Sequence, residues 1–296
     1  MTEQEFSLLK DLVHREFGLM IRGDKRLTFH AKVSHRLNLL GLRTYSEYYD
    51  HIVSDPTGKE LLVFVSHITN NETYFFREKA QLNIFSEILK DIKSGKQKRD
   101  DNRIRIASLA SSSGEEAYSL NICLQESGLF LWDWDVQIIG MDINTNALLK
   151  AQAASYSKNS FRMPDTDQGL TDKYFTITDG RYLLRRALTK NVEFRHGNII
   201  DPDAYAGLTD LDVVFCRNVL IYMSDEALDK IVRNIYDSIS DTGYLFIGSS
   251  ESLIQRTDLF VSEHIGGAIV YRKKLRHVPG KPGEAGRLEK NSGITL

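Results

Sequence analysis

Residues 104–126 read IRIASLASSSGEEAYSLNICLQE. Ile104 to Ala110 has the apolar character of a buried strand, and Glu115 to Glu126 repeats apolar residues at helical spacing. Between them lies Ala110-Ser-Ser-Ser-Gly114, a turn of small side chains that lets backbone approach a ligand closely. A strand, a tight turn and a helix form the opening unit of a parallel α/β sheet. The rhythm continues downstream. Val136–Met141 reads as a second strand and Asn144–Tyr156 as a second helix. Asn191–Arg195, Leu211–Cys216 and Tyr244–Gly248 are further strands, with a long helix over Asp225–Ser240. Ile269–Arg272 is expected as a final edge strand. The fold class predicted is α/β, a doubly wound, mostly parallel sheet. Residues 157–190 read as irregular, with a hairpin at Asp179-Gly180 and a small β insertion over about 176–196.

Upstream the pattern is purely helical. Phe6, Leu9, Val13 and Phe17 recur at helical spacing before Gly18, a C-terminal stop. A second helix is predicted from about Asp24 to Leu40, closed by Gly41. A third is capped by Thr44 or Ser46, and a fourth runs from Lys59 to Ile68. Residues 93–103 (KSGKQKRDDNR) have linker composition. The expected organisation is a helical domain over 1–80, a helix and polar linker over 81–103, and an α/β domain over 104–272. A tail over 273–296 is expected to be disordered.

Composition narrows the function. The chain has 296 residues, 42% hydrophobic and 26% charged, which describes an ordinary globular protein. No apolar run approaches the ~20 residues of a membrane span. The opening MTEQEFSLLKDLVHREF is an amphipathic helix without the basic and apolar regions of a signal peptide, so a cytoplasmic location is expected. A net charge of −2 gives no general pull toward nucleic acid. Cys123 and Cys216, in separate apolar contexts, read as small core residues rather than a disulfide or metal site.

In open α/β sheets ligands sit outside the carboxyl ends of the strands. The turn at 110–114 is not GxGxxG, so the dinucleotide fingerprint is absent. Glu115 and Glu116 occupy the first turn of the following helix, where two carboxylates repel a pyrophosphate and suit a cationic ligand. The same acids also serve simply to complement the helix dipole. Asp142 ends the second strand, the position of a carboxylate that accepts from a ribose diol; a turn or capping role is the alternative. Arg217-Asn218 interrupts the apolar run VVFCRNVLIYM where its strand reaches the crevice, and Asn198 reaches a similar rim. Together these describe a nucleoside-binding α/β domain whose ligand is cationic; S-adenosylmethionine fits and NAD or ATP fits poorly.

Five stretches then carry a resemblance: Asn71-Glu-Thr-Tyr-Phe-Phe-Arg77, Ser113-Gly-Glu-Glu-Ala-Tyr-Ser119, Gly140-Met-Asp-Ile-Asn144, Phe215-Cys-Arg-Asn-Val-Leu-Ile-Tyr222 and Gly243-Tyr-Leu-Phe-Ile-Gly-Ser-Ser-Glu-Ser252. In these the chain resembles the chemotaxis receptor methyltransferases, which transfer a methyl group from S-adenosylmethionine to glutamate side chains of chemoreceptors. The resemblance implies cofactor contacts from Asn71, Thr73 and Arg77 and a cofactor-binding glutamate at Glu116. It also implies a ribose-binding Asp142 and further contacts from Asn198, Ile199, Arg217 and Asn218. Tyr222 matches a tyrosine close to the transferred methyl, with Arg217 and Tyr222 as orienting groups. Ala107, Ser111 and Ser249 depart from the family pattern; a serine at 249 stands where a histidine is usual, so no essential base is implied there.

The implied chemistry needs little proton transfer. A glutamate carboxylate, with a pKa near ~4.3, is already ionised near neutral pH and is itself the nucleophile. In-line displacement at the methyl carbon yields a methyl ester and S-adenosylhomocysteine. Lys25, Lys32 and Arg36 fall within about 40° of one another at the helical period. With the resemblance they are expected to dock the acidic helices of a receptor's cytoplasmic region; alone, such a stripe reads as a solvated face. A monomer is expected, with no nucleic-acid partner and no membrane insertion. A methyltransferase acting on a small acid and a non-enzymatic cofactor sensor are the rival readings.

Overall fold

A computed structural model describes residues 1–21, 25–130, 132–162 and 166–275. Four helices come first: α1 (Glu3–Phe17), α2 (Arg26–Leu40), α3 (Tyr45–Ser54) and α4 (Lys59–Ile68). Their ends follow from local chemistry. Thr2 with Glu5, and Thr44 with Glu47, form capping boxes that satisfy the first free amides of α1 and α3. Gly18 and Gly41 close α1 and α2 in the left-handed conformation. The inward faces meet in an aromatic core, where Phe29 stands edge-on to Phe6 at 5.5 Å and to Phe64 at 6.1 Å. The expected start of α2 at Asp24 lies outside the described residues.

Helix α5 (Lys79–Gln97) buries Leu82, Phe85, Ile88 and Leu89 against the α/β sheet. It continues through Lys93–Gln97, which composition assigned to a linker. The reason is Lys96: buried, its ammonium pairs with Asp101 at 2.9 Å and Asp212 at 3.0 Å, anchoring the charged stretch to the sheet.

Among the described residues, seven strands form the main sheet: β1 (Arg103–Leu109), β2 (Asp135–Asp142), β6 (Val192–His196), β7 (Leu211–Cys216), β8 (Ile239–Ile247), β9 (Phe260–Ile265) and β10 (Ala268–Lys273). Their order is β6-β2-β1-β7-β8-β10-β9. Pairing is parallel from β6 to β8, while β10 runs antiparallel to β8 and to β9. β10 is therefore internal, and the edge belongs to β9, whose outer residues Val261 to His264 are exposed and offer no apolar pattern. Helices α6 (Glu115–Ser127), α7 (Thr145–Ala153) and α10 (Asp225–Ser238) cover the sheet faces. The fold is thus the α/β, mostly parallel architecture preceded by a helical domain. Cys216 is buried and Cys123 partly so; burial pushes the Cys123 thiol up to about 11 and the Cys216 thiol well above its ordinary value.

The insertion is a second, three-stranded sheet of β3 (Ser155–Tyr156), β4 (Phe175–Thr178) and β5 (Arg181–Leu184), in order β3-β5-β4. Helices α8 (Gln168–Tyr174) and α9 (Arg186–Thr189) flank β4 and β5, so much of the described part of the stretch expected to be irregular is regular structure. Asp179 and Gly180 both have positive φ, the signature of a two-residue hairpin turn. Helix α7 stops at Ala153 rather than Tyr156, because Ser155 and Tyr156 pair with Leu183 and Tyr182. Of the expected tail, Lys273 belongs to β10, and the Lys274 N–H donates to Leu259 O. Residues 276–296 lie outside the described ones.

Arg36 does not share an open face with Lys25 and Lys32. Its guanidinium grips Glu60 through both Nε and Nη2, at 2.9 and 2.5 Å, and Tyr48 Oη donates to the same carboxylate. Burial raises the Glu60 carboxyl, but Arg36 and Tyr48 outweigh it and hold it below the ordinary 4.5. Arg36→Met leaves that buried carboxylate uncompensated and is expected to cost about 2–3 kcal/mol, allowing for the partly exposed guanidinium. A pKa depressed in the folded state stabilises above the ordinary value, so the difference from wild type should shrink as pH falls below 4.5. Denaturant titration across pH measures this; a cost under about 0.5 kcal/mol at neutral pH contradicts it.

Candidate active site

The sheet order reverses direction between β1 and β7, which is where an open α/β sheet receives its ligand. A cleft of about 820 Å³ opens there, between the carboxyl ends of the strands and the helical domain. Three non-glycine residues at its walls, Ala110, Ser112 and Asn218, hold positive φ of 57°, 51° and 58°. Such strain concentrates at functional sites.

All the residues expected to bind a cofactor line this one cleft, and Tyr222 joins them. Asp142 is buried at the end of β2. Its Oδ2 accepts from the Ser112 N–H at 2.7 Å and its Oδ1 from the Asn144 N–H at 2.8 Å. Burial pushes its carboxyl up, against those amides. Each oxygen retains a lone pair for a ligand hydroxyl. The two neighbouring glutamates part company. Glu116 faces the cleft, accepting from Ser108 Oγ at 2.7 Å and Arg217 Nε at 2.7 Å. Glu115 turns into the interior, where it accepts from Ser113 and Ser160 and burial pushes its carboxyl up; it does not line the cleft. The expected double carboxylate is a single one.

Arg217 lines the cleft from the end of β7. Its side chain is only 2% exposed, and Nη1 donates to Arg77 O at 3.0 Å and to Gln81 Oε1 at 3.2 Å. Through Nε it braces Glu116, and through Nη1 it ties Glu116 to the start of α5. Asn218 Nδ2 donates to Glu78 Oε1 at 3.0 Å. Asn198 donates to Glu16 O and accepts from the Ile200 N–H, fixing the rim above β6 beside the end of α1.

The segment Asn71–Arg77 both packs the core and lines the cleft. Phe75 is fully buried, stacked on Phe161 at 5.0 Å, while Asn71, Thr73 and Arg77 line the cleft wall. Tyr222 ends a short 3₁₀ turn over Leu220–Tyr222 and lies half-buried at the mouth. The helical domain holds that turn directly: Met20 N–H donates to Tyr222 O at 2.7 Å, and Ser224 N–H to Gly18 O at 2.9 Å. Gly18 is required at this seam, since a Cβ there would stand 2.3 Å from the Ala227 Cβ. Lys25 and Lys32 line the cleft as well. Lys25 Nζ sits 5.3 Å from the centre of the Tyr222 ring, and Lys32 Nζ donates to the carbonyls of Ile68 and Thr69 at the end of α4.

Residues 71–266 match the family model of the CheR methyltransferase SAM binding domain, and residues 4–69 match that of the CheR methyltransferase all-alpha domain. The chain belongs to the CheR methyltransferase family. It is 32% identical over 263 residues to "Chemotaxis protein methyltransferase 2" of Vibrio cholerae, covering 88% of this chain and 89% of that one. "Chemotaxis protein methyltransferase 1" of Pseudomonas aeruginosa is 29% identical over 274 residues, covering 91% and 98%. "Chemotaxis protein methyltransferase" of Borreliella burgdorferi is 27% identical over 256 residues, covering 86% and 89%. This CheR methyltransferase is an enzyme of chemotaxis that uses S-adenosylmethionine.

The residues present fit that cofactor. Beyond the acids at Glu116 and Asp142, Ser111 lines the cleft, and its hydroxyl is buried with no protein partner among the described residues. A buried hydroxyl without a bond is costly unless a ligand supplies one. Sequence places Ser111 in the small-residue turn at the crevice and as a departure from the family pattern, but three adjacent serines give no sign of which hydroxyl is left unpaired. Ser111→Ala should therefore leave the ligand-free protein as stable as wild type, or slightly more so, and weaken S-adenosylmethionine binding by about fivefold, the worth of one modest hydrogen bond. Thermal melts with calorimetric titration check both; unchanged affinity removes the role.

Proposed function

We propose that this CheR methyltransferase esterifies glutamate side chains on the cytoplasmic helical region of methyl-accepting chemoreceptors, as a monomer in the cytoplasm. The products are glutamate methyl esters and S-adenosylhomocysteine. Residues 1–80 form the receptor-docking domain in this reading, and 104–272 the methyl-transferring one. The observation that carries it is the cationic wall which Lys25 and Lys32 add to the cofactor cleft, beside Tyr222. An acceptor that is an anionic carboxylate is drawn to such a wall; a neutral acceptor gains nothing from it. No helix among the described residues is long and apolar enough to cross a membrane.

Asp142 would hold the ribose diol and Glu116 the charged amino-acid end of the cofactor. Asn71, Thr73 and Arg77 close over it from the α5 side, and Asn198, Ile199 and Asn218 bound it along the strand ends. Bound S-adenosylmethionine supplies a methyl carbon on a cationic sulfur, open to displacement. The chain then has no proton to move, because the acceptor arrives ionised. Its work is alignment and the exclusion of water, through Tyr222 at the mouth and the apolar Phe17, Leu19 and Val219 in the wall. Arg217 contributes by holding Glu116 in place. Lys32 stays depressed by burial and by the charge of Lys25, a tension that an incoming carboxylate relieves.

Incubating receptor-containing membranes with methyl-labelled S-adenosylmethionine should label the receptor with a group released by mild base. A base-stable product excludes a carboxyl ester, and no labelling at all removes the receptor as substrate. Tyr222→Phe should slow turnover about tenfold while leaving cofactor affinity within twofold, as expected for one lost orienting bond. Unaltered kinetics would rule that role out.

A further inference from the structure

The motif Gly243–Ser252 carries a side chain that none of the roles above uses. After β8 ends at Ile247 the chain turns, and Glu251 folds its carboxylate back toward the loop that follows β7. Glu251 Oε2 accepts from the Gly248 N–H at 2.6 Å and from the Asn218 N–H at 2.9 Å. Its Oε1 accepts from the Ile221 N–H at 3.2 Å. One half-buried carboxylate thus gathers three backbone amides from two loops. Two of them, Asn218 and Ile221, bracket the stretch that presents Asn218 and Tyr222 to the cleft. Asn218 needs such support, since its φ of 58° is disfavoured for a residue with a side chain.

The surrounding geometry is fitted to this contact. A Cβ on Gly248 would stand 2.7 Å from Glu251 Oε2 and 2.9 Å from the Asn218 N, so only glycine lets the two loops meet. From the other side, Glu78 accepts from Asn218 Nδ2 at 3.0 Å and from the Ser249 N–H at 3.1 Å. Glu251 itself does not line the cleft.

We infer that Glu251 is a positioning residue of the methyl-transfer site, holding the 218–222 loop in its working shape through its three backbone acceptances. A glutamine cannot replace it, because an amide presents one oxygen and turns an N–H₂ toward the remaining donors. The inference deepens the proposed function only where receptor turnover is measured; its other readouts need no receptor.

The test compares wild type, Glu251→Gln and Gly248→Ala in the full chain. In Glu251→Gln, hydrogen exchange at the amides of residues 218, 221 and 248 should quicken about tenfold or more, while amides of β1 and β7 keep their protection. Turnover on receptor should fall about tenfold or more with KM within twofold. Gly248→Ala, which wedges the same contact apart with Glu251 present, should reproduce both effects. Exchange that is unchanged at the loop, or that quickens uniformly across the sheet, overturns the inference, as does wild-type turnover in Glu251→Gln. If wild type itself fails to methylate receptor, the proposed function falls while the exchange readout still decides for or against Glu251.

Discussion

The Arg217 guanidinium is the junction on which the rest of the site is built. It enters from the end of β7, grips Glu116 at the start of α6, and donates to the carbonyl of Arg77 and the side chain of Gln81 at the start of α5. Three elements that are distant in sequence are tied at one buried charge. Such an arrangement holds only when every donor is satisfied, because a guanidinium taken out of water is costly unless paired. Once satisfied, it fixes the carboxylate of Glu116 at the cleft and sets the height of the loop that begins with Asn218. The apparent intrusion of a charge into the apolar run VVFCRNVLIYM is therefore a tie between sheet and cleft.

How much of this could be read beforehand depended on the kind of information each residue carries. The parallel sheet was readable because β1, β2 and β7 are buried on both faces and appear as continuous apolar runs. The positions of Asp142, Asn198 and Arg217 followed, since the end of a strand is a place that sequence marks. Side-chain direction was not readable. Glu115 and Glu116 are neighbours, and one step along a helix rotates the side chain by about 100°. That rotation sends one glutamate to the cleft and the other to Ser113 and Ser160. Arg36 shares a helical stripe with Lys25 and Lys32, yet the distant Glu60 claims it. β9 escaped for a different reason: as an edge strand with exposed polar residues, it has little apolar signature to find.

The helical domain is more than a platform beside the α/β unit. Leu19 bridges to Met223, Asn198 reaches Glu16, and Asn144 donates to Ser66. Residues from both parts line the cleft, and Ile143 packs into the helical core. Energetically, the seam trades a few backbone bonds and one close glycine contact for a shared wall that keeps water from the cleft. The reacting site is thus an interdomain site, the usual home of ligand pockets in two-part proteins.

That seam limits how this architecture can be recombined. Because Gly18 and Met20 bond to the same short stretch of backbone that bears Tyr222, a helical domain borrowed from another member of the family cannot be joined at the chain boundary alone. The graft would have to carry the matching residues around 222–224 and the alanine at 227 that accommodates Gly18. The helical domain and the backbone that bears Tyr222 are consequently inherited together, as one mated pair of surfaces rather than as two interchangeable modules.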